Sequence, residues 1–135
     1  MSLLPKQPAP PQLLHGPWEK QGLSLYVKRE DLLHPTVSGN KWRKLIYNLE
    51  AARAQGHAQL LTFGGAYSNH IYATAAAASE AGFKAIGIIR GEEHLPLNPT
   101  LQFAREQGME LYYLDRSTYR DKMSPQLRQE LQERF

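Results

Sequence analysis

Three cations stand close together at the point where the residue spacing predicts a helix to begin: Lys41, Arg43 and Lys44, directly after Ser38-Gly39-Asn40. A helix N-terminus presents unpaired N–H groups and partial positive charge, so each exposed cation there costs roughly 0.3–1 kcal/mol. Three of them indicate either a bound anion, with phosphate the usual occupant of such ends, or a solvated basic face whose repulsion is screened by salt. A second group is Phe63-Gly64-Gly65-Ala66-Tyr67-Ser68-Asn69-His70. Its glycines let backbone approach a ligand, while the Ser68 hydroxyl, the Asn69 amide and the N–H groups of the helix that follows are donors for a carboxylate or phosphate. Taken singly, each of these residues reads better as a turn or an N-cap. Their succession after an apolar strand favours a site, because open parallel sheets bind ligands at the carboxyl ends of their strands.

Other chemistries are disfavoured. Ser68 and His70 are two apart on a helix and face different ways, so they do not make a nucleophile and base pair. The chain has no Gly-x-Ser-x-Gly elbow, no Gly-x-Gly-x-x-Gly fingerprint and no Gly-Lys-Ser/Thr phosphate loop. His15, His34, His57 and His94 lack metal-ligand spacing and read as ordinary surface histidines, so no metal is expected. With no cysteine, disulfides and thiolate-ligated metals are excluded, which fits a reducing compartment. The 16 basic and 13 acidic side chains give a net charge of only +3 and are interspersed, which argues against nucleic acid as a partner. The absence of a long apolar run argues against a membrane, and a cytoplasmic protein is expected.

The elements that must position these residues follow from periodicity and punctuation. A length of 135 residues with 41% hydrophobic composition suits one α/β domain with a sizeable core. Five of the nine prolines fall in the first 17 residues, which predicts an extended arm. Residues 23–27 alternate as a short strand. Trp42, Leu45, Ile46, Leu49 and Ala52 repeat at helical spacing up to Gly56. Strands are predicted at 58–63, 83–89 and 109–114, and helices at 68–81, from Asn98 to Gln107, and from Ser124-Pro125 to the C-terminus. The alternation predicts a parallel sheet with flanking helices, whose ligand-binding turns are Gly64–Ser68 and Arg90–Asn98.

Taken together, VKREDL at 27–32, SGNKWRKL at 38–45, GGAYSNH at 64–70, GIIRGEE at 87–93 and NPTL at 98–101 resemble the pyridoxal-phosphate-dependent family of 1-aminocyclopropane-1-carboxylate deaminase and D-cysteine desulfhydrase. The resemblance covers most of the chain from about Val27 and implies the β/α units of a tryptophan synthase β-like enzyme, as an N-terminal portion. Pyridoxal 5'-phosphate is then the cofactor and a small amino acid the substrate. Lys41 is similar to the lysine that carries the cofactor as a Schiff base, and Lys44 to the one near its phosphate. Ser68 and Asn69 match the loop facing cofactor and substrate carboxylate, with Asn69 beside the 3'-oxygen and Ser68 a catalytic candidate. His70 occupies a substrate-binding position that is Gln in deaminases and His in many desulfhydrases. The chain departs from the family at Trp42, where a small residue is usual, at Ser38, where Gly is common, and at Tyr72, where Arg is frequent; these bear on substrate choice.

By the same resemblance, residues 1–40 belong to the large cofactor domain and residues 41–135 form an α/β small domain. The family's C-terminal half, with its glycine-rich phosphate cup, has no counterpart here. Apolar surface that this half would cover favours a homo-oligomer. The competing reading is a non-catalytic α/β module of the same ancestry that binds little or no cofactor; a more distant one is an unrelated anion-binding domain.

Overall fold

A computed structural model describes residues 8–135; the first seven residues of the proline-rich arm lie outside it. Within the arm a short strand forms, β1 (Pro11–Leu14), which pairs antiparallel with β2 (Leu25–Lys28). Pro11 can be accommodated because this is a two-stranded ribbon with free edges, where a missing N–H leaves no ladder bond unmade. Between them lies a 3-10 turn over Pro17–Gln21, and a second one over Glu30–Leu32 leads to the main body.

The main body alternates helix and strand: α1 (Asn40–Ala54), β3 (Gln59–Gly65), α2 (Asn69–Ala81), β4 (Lys84–Arg90), α3 (Pro99–Glu106), β5 (Met109–Leu114), α4 (Arg116–Arg120) and α5 (Pro125–Arg134). The three strands form one parallel sheet in the order β3-β4-β5, with Gln59 opposite Lys84 and Ala85 opposite Met109. The expected α/β architecture with a parallel sheet and flanking helices is therefore the one observed. The central strand β4 is buried from Ala85 to Ile89, as a strand covered on both faces must be.

Helix α2 explains how three layers fit together. Ala73, Ala75, Ala76, Ala77 and Ala78 are all buried, so the helix is covered nearly all round, and its small side chains let neighbours approach closely. One side meets Trp42, Leu45, Ile46 and Leu49 of α1. Another joins Ile71, Ala85, Ile89, Leu101 and Ala104 between the sheet and α3. On the opposite face of the sheet, Leu127 and Leu131 of α5 and Tyr119 of α4 pack on Ile86, Ile88 and Leu114.

Polar side chains start the helices where the sequence places them. Asn98 Oδ1 accepts from Thr100 N and Leu101 N, and Ser124 Oγ accepts from Leu127 N. Helix α4 was not foreseen. Asp115 caps it, accepting from Ser117 and Thr118 through both hydroxyls and both N–H groups, and these bonds, Ser117's foremost, hold its carboxyl well below the usual carboxylate range.

His34 is not the ordinary surface histidine expected. Its Nδ1 accepts from Val37 N at 3.1 Å and Thr36 N at 3.3 Å, and its Nε2 meets Glu80 Oε2 at 3.0 Å. The ring ties the segment ahead of α1 to the end of α2, a long-range role that spacing along the chain does not show.

Candidate functional site

The site begins where α1 begins. Gly39 precedes the helix with φ 62° and ψ −145°, in the region that favours glycine, and its N–H bonds to the Glu30 carbonyl at 2.9 Å. A glycine at this position offers no side-chain cap, so the first N–H groups of α1 are left open. The cation cluster is only partly as expected. Arg43 Nε donates to Glu30 Oε1 at 2.6 Å, and Lys28 lies 3.3 Å from the same oxygen. These cations, Arg43's hydrogen bond first, pull the Glu30 carboxyl below its ordinary range. Arg43 is thus matched by a local carboxylate and drops out of the anion argument. Among the described residues neither Lys41 nor Lys44 has a carboxylate partner.

Lys41 lines a cavity of about 410 Å³ together with Ser38, Asn40, Asn69, Tyr72 and Thr100. That volume falls within the range of small-molecule sites. Two sequence signals separated by 28 positions, the lysine motif and the Ser-Asn loop, are thereby brought to one place. Tyr72 owes its position to α3, because its ring stacks on Phe103 with centroids 3.8 Å apart and planes 13° from parallel. Lys44, one turn further along α1, is exposed.

Ser68 is the N-cap of α2: its Oγ accepts from His70 N at 3.2 Å and Ile71 N at 3.4 Å. Capping uses the oxygen's lone pairs and leaves the hydroxyl hydrogen free to donate, so the cap and the donor role are compatible. Ser68 does not itself line the Lys41 cavity, whereas Asn69 does. The imidazole of His70 turns away from Ser68, and its Nε2 lies 2.8 Å from Thr62 Oγ1 on β3. No serine–histidine nucleophile pair exists here, as the spacing indicated.

His70 reports on the lysines. Burial first, and then the charges of Lys41 and Lys44, lower its pKa from the ordinary 6.5. The folded chain therefore keeps the ring neutral to lower pH than the unfolded chain does. As pH falls through 6.5 the unfolded state takes up more protons, and stability declines until the folded value is passed. His70→Gln is expected to flatten the pH dependence of the urea midpoint below pH 6.5. An unchanged slope would assign that dependence to other groups.

The donor set fits an aldehyde-bearing phosphorylated cofactor. An amine without a counter-carboxylate stands beside amide and hydroxyl groups at the open start of a helix, with a second unmatched lysine one turn away. Among the described residues no group of three metal-ligating side chains exists that could make the site a metal centre.

A second cavity, of about 840 Å³, lies at the two turns expected to bind ligands, Gly64–Ser68 and Arg90–Asn98. It lies across the carboxyl ends of all three parallel strands and is lined by Gly65 to Tyr67, Arg90 to Glu92, and Asp115 to Ser117 with Arg120. The ligand-end rule for open sheets predicts its position. Its third side depends on α4, which sequence periodicity missed.

The fold and site define a parallel α/β domain that gathers its candidate site residues at strand and helix ends. No family model matches the chain. Over 132 residues it is 35% identical to a protein of Pyrococcus abyssi named as a 1-aminocyclopropane-1-carboxylate deaminase, covering 90% of this chain and 40% of that protein. A D-cysteine desulfhydrase of Salmonella paratyphi A is 33% identical over 82 residues, covering 61% of this chain and 25% of the relative. Among solved structures, an ACC deaminase homologue superposes with a TM-score of 0.72 at 31% identity, covering 94% of this chain and 40% of the other. Over most of its length the chain is similar to an N-terminal portion of the 1-aminocyclopropane-1-carboxylate deaminase and D-cysteine desulfhydrase family. It spans about 40% of the length of the P. abyssi relative and of the solved homologue.

Proposed function

We propose that the chain is the lysine-bearing N-terminal portion of a pyridoxal-phosphate-dependent deaminase or desulfhydrase acting on a small amino acid. The observation that supports this most directly is the convergence of the Lys41 amine, the Asn69 amide and the Tyr72 ring on one cavity, where among the described residues the lysine has no carboxylate partner. Lys41 would hold the cofactor through its amine, with Lys44 drawn to the phosphate. When bound, pyridoxal phosphate supplies an electron sink for the negative charge that develops at the substrate's α-carbon. The Lys41 amine, when not holding the cofactor, would take a proton from that carbon or return one. Asn69 would donate from its amide to the cofactor's 3'-oxygen or the substrate carboxylate. Ser68, its oxygen engaged by the first N–H groups of α2, would have its hydrogen left to donate to the carboxylate. His70, kept neutral and anchored by Thr62, lies behind this loop and adds no positive charge to it.

Catalysis needs groups on both sides of a cofactor, since misorientation by a fraction of an ångström is expensive. The test is release of ammonia from 1-aminocyclopropane-1-carboxylate and of sulfide from D-cysteine, with pyridoxal phosphate present. The expected result is trace turnover by the 135-residue chain, and turnover on one of the two substrates once the C-terminal portion of a family relative is supplied. Failure of the supplemented chain to act on either substrate would refute the proposal.

We further propose that the chain self-associates through the β1–β2 ribbon. Leu23, Leu25 and Tyr26 there are 59%, 48% and 60% exposed, more apolar side chain than a solvated two-stranded ribbon ordinarily carries. A monomer by sedimentation at micromolar concentration would contradict this.

A further inference from the structure

Arg90 closes β4, and Arg116 and Arg120 lie on α4, yet all three line the large cavity at the carboxyl ends of the strands. Among the described residues none of the three has a carboxylate within ion-pair distance, although two acids line the same cavity. Asp115 is not available to them, because both its oxygens are occupied in capping α4. Glu92 forms no ion pair with any of them. Three guanidinium groups gathered around one concave space without a counter-ion repel one another, and that repulsion is relieved by an anion placed among them.

The floor of the cavity suits a close-fitting ligand. A Cβ placed on Gly65 would meet no heavy atom nearer than Arg90 Nη2, at 4.0 Å, and one placed on Gly91 would meet nothing within 4 Å. Backbone at the ends of β3 and β4 is therefore open to the space the arginines surround. Guanidinium groups recognise carboxylate and phosphate in a two-pronged manner that lysine does not reproduce. We propose that this cavity is an anion-binding site, separate from the Lys41 cavity, for a small molecule carrying a doubly charged oxyanion, either a phosphate group or a pair of carboxylates.

Inorganic phosphate and malonate serve as the two probes, titrated into the 135-residue chain at low ionic strength and followed by calorimetry and by the Nε–H resonances of the arginines. Saturable binding of one probe identifies which of the two oxyanions the site takes. Arg90→Gln, Arg116→Gln and Arg120→Gln should each weaken it roughly tenfold, and the triple variant should abolish it. Replacement of all three by lysine should restore part of the affinity. Arg128→Gln, on α5 and outside the lining of this cavity, should leave binding unchanged, as should Lys41→Ala. The proposal is overturned if neither probe saturates, if the triple Gln variant binds as tightly as the unaltered chain, if chloride at equal ionic strength displaces both probes equally well, or if Lys41→Ala removes the binding. Because the Lys41→Ala chain retains this site, its success or failure is independent of cofactor capture on Lys41.

Discussion

Lys41→Ala should abolish covalent capture of pyridoxal phosphate. In the unaltered chain, borohydride treatment after incubation with the cofactor should fix a pyridoxyl group to Lys41, visible as one added mass on the peptide that contains it. The expected effect is complete loss, because a Schiff base requires an amine and Lys44, the other unmatched lysine nearby, is expected to be engaged by the phosphate. Lys44→Ala should leave the attachment possible but weaken capture roughly tenfold, the loss of one charge-assisted contact to a phosphate. The structure sharpens this contrast. Arg43, between the two lysines in sequence, is held by Glu30, so the pair that is free to meet an anion is Lys41 and Lys44. A label found on Lys44 or Lys84 in the unaltered chain would show that the attachment site lies elsewhere.

The second large effect concerns Gly64. A Cβ at this position would fall 2.4 Å from Ile71 Cγ1, 2.9 Å from its Cδ1 and 3.1 Å from Ser68 Cβ. Ile71 is fully buried and cannot swing aside. Gly64→Ala must therefore push the start of α2 away from the end of β3, at an expected cost of about 1–3 kcal/mol in urea unfolding. Gly65→Ala is the matched control: the nearest atom would be 4.0 Å away, and a change within about 0.5 kcal/mol is expected. Equal stability of the two variants would show that the β3–α2 junction is more yielding than its packing indicates. The same displacement would carry Asn69 away from Lys41, so Gly64→Ala should also reduce capture of the cofactor where Gly65→Ala does not.

Much of this architecture is legible in the residues themselves. Strand β5 coincides with its predicted span, and the Asn98-Pro99 and Ser124-Pro125 pairs mark helix starts because cap and fixed φ act locally. The Ser-Asn loop could be placed at the ligand end of the sheet in advance, since it follows a parallel strand, whereas the lysine motif was joined to it only by the family resemblance. What stayed hidden depends on contacts between distant positions. Arg43 and Glu30 are 13 residues apart, joined only when the Gly39 turn folds back. His34 and Glu80 meet across two elements. Helix α4 is five residues long, too short for any apolar period to appear, and with it the third wall of the arginine cavity escaped notice. Strand β1 was masked by prolines that a free edge tolerates.

The stacked rings of Tyr72 and Phe103 give the molecule a built-in gauge. Each ring lies in the shielding cone of the other at a centroid separation of 3.8 Å, so their proton resonances should be displaced well upfield of ordinary aromatic positions. Tyr72 also lines the Lys41 cavity. A ligand that levers α2 from α3 as it enters would return both sets of signals toward their usual frequencies, and one that slides in without disturbing the helices would leave them in place. The mechanical response of the domain to occupancy can in this way be read from two native side chains, with no probe attached.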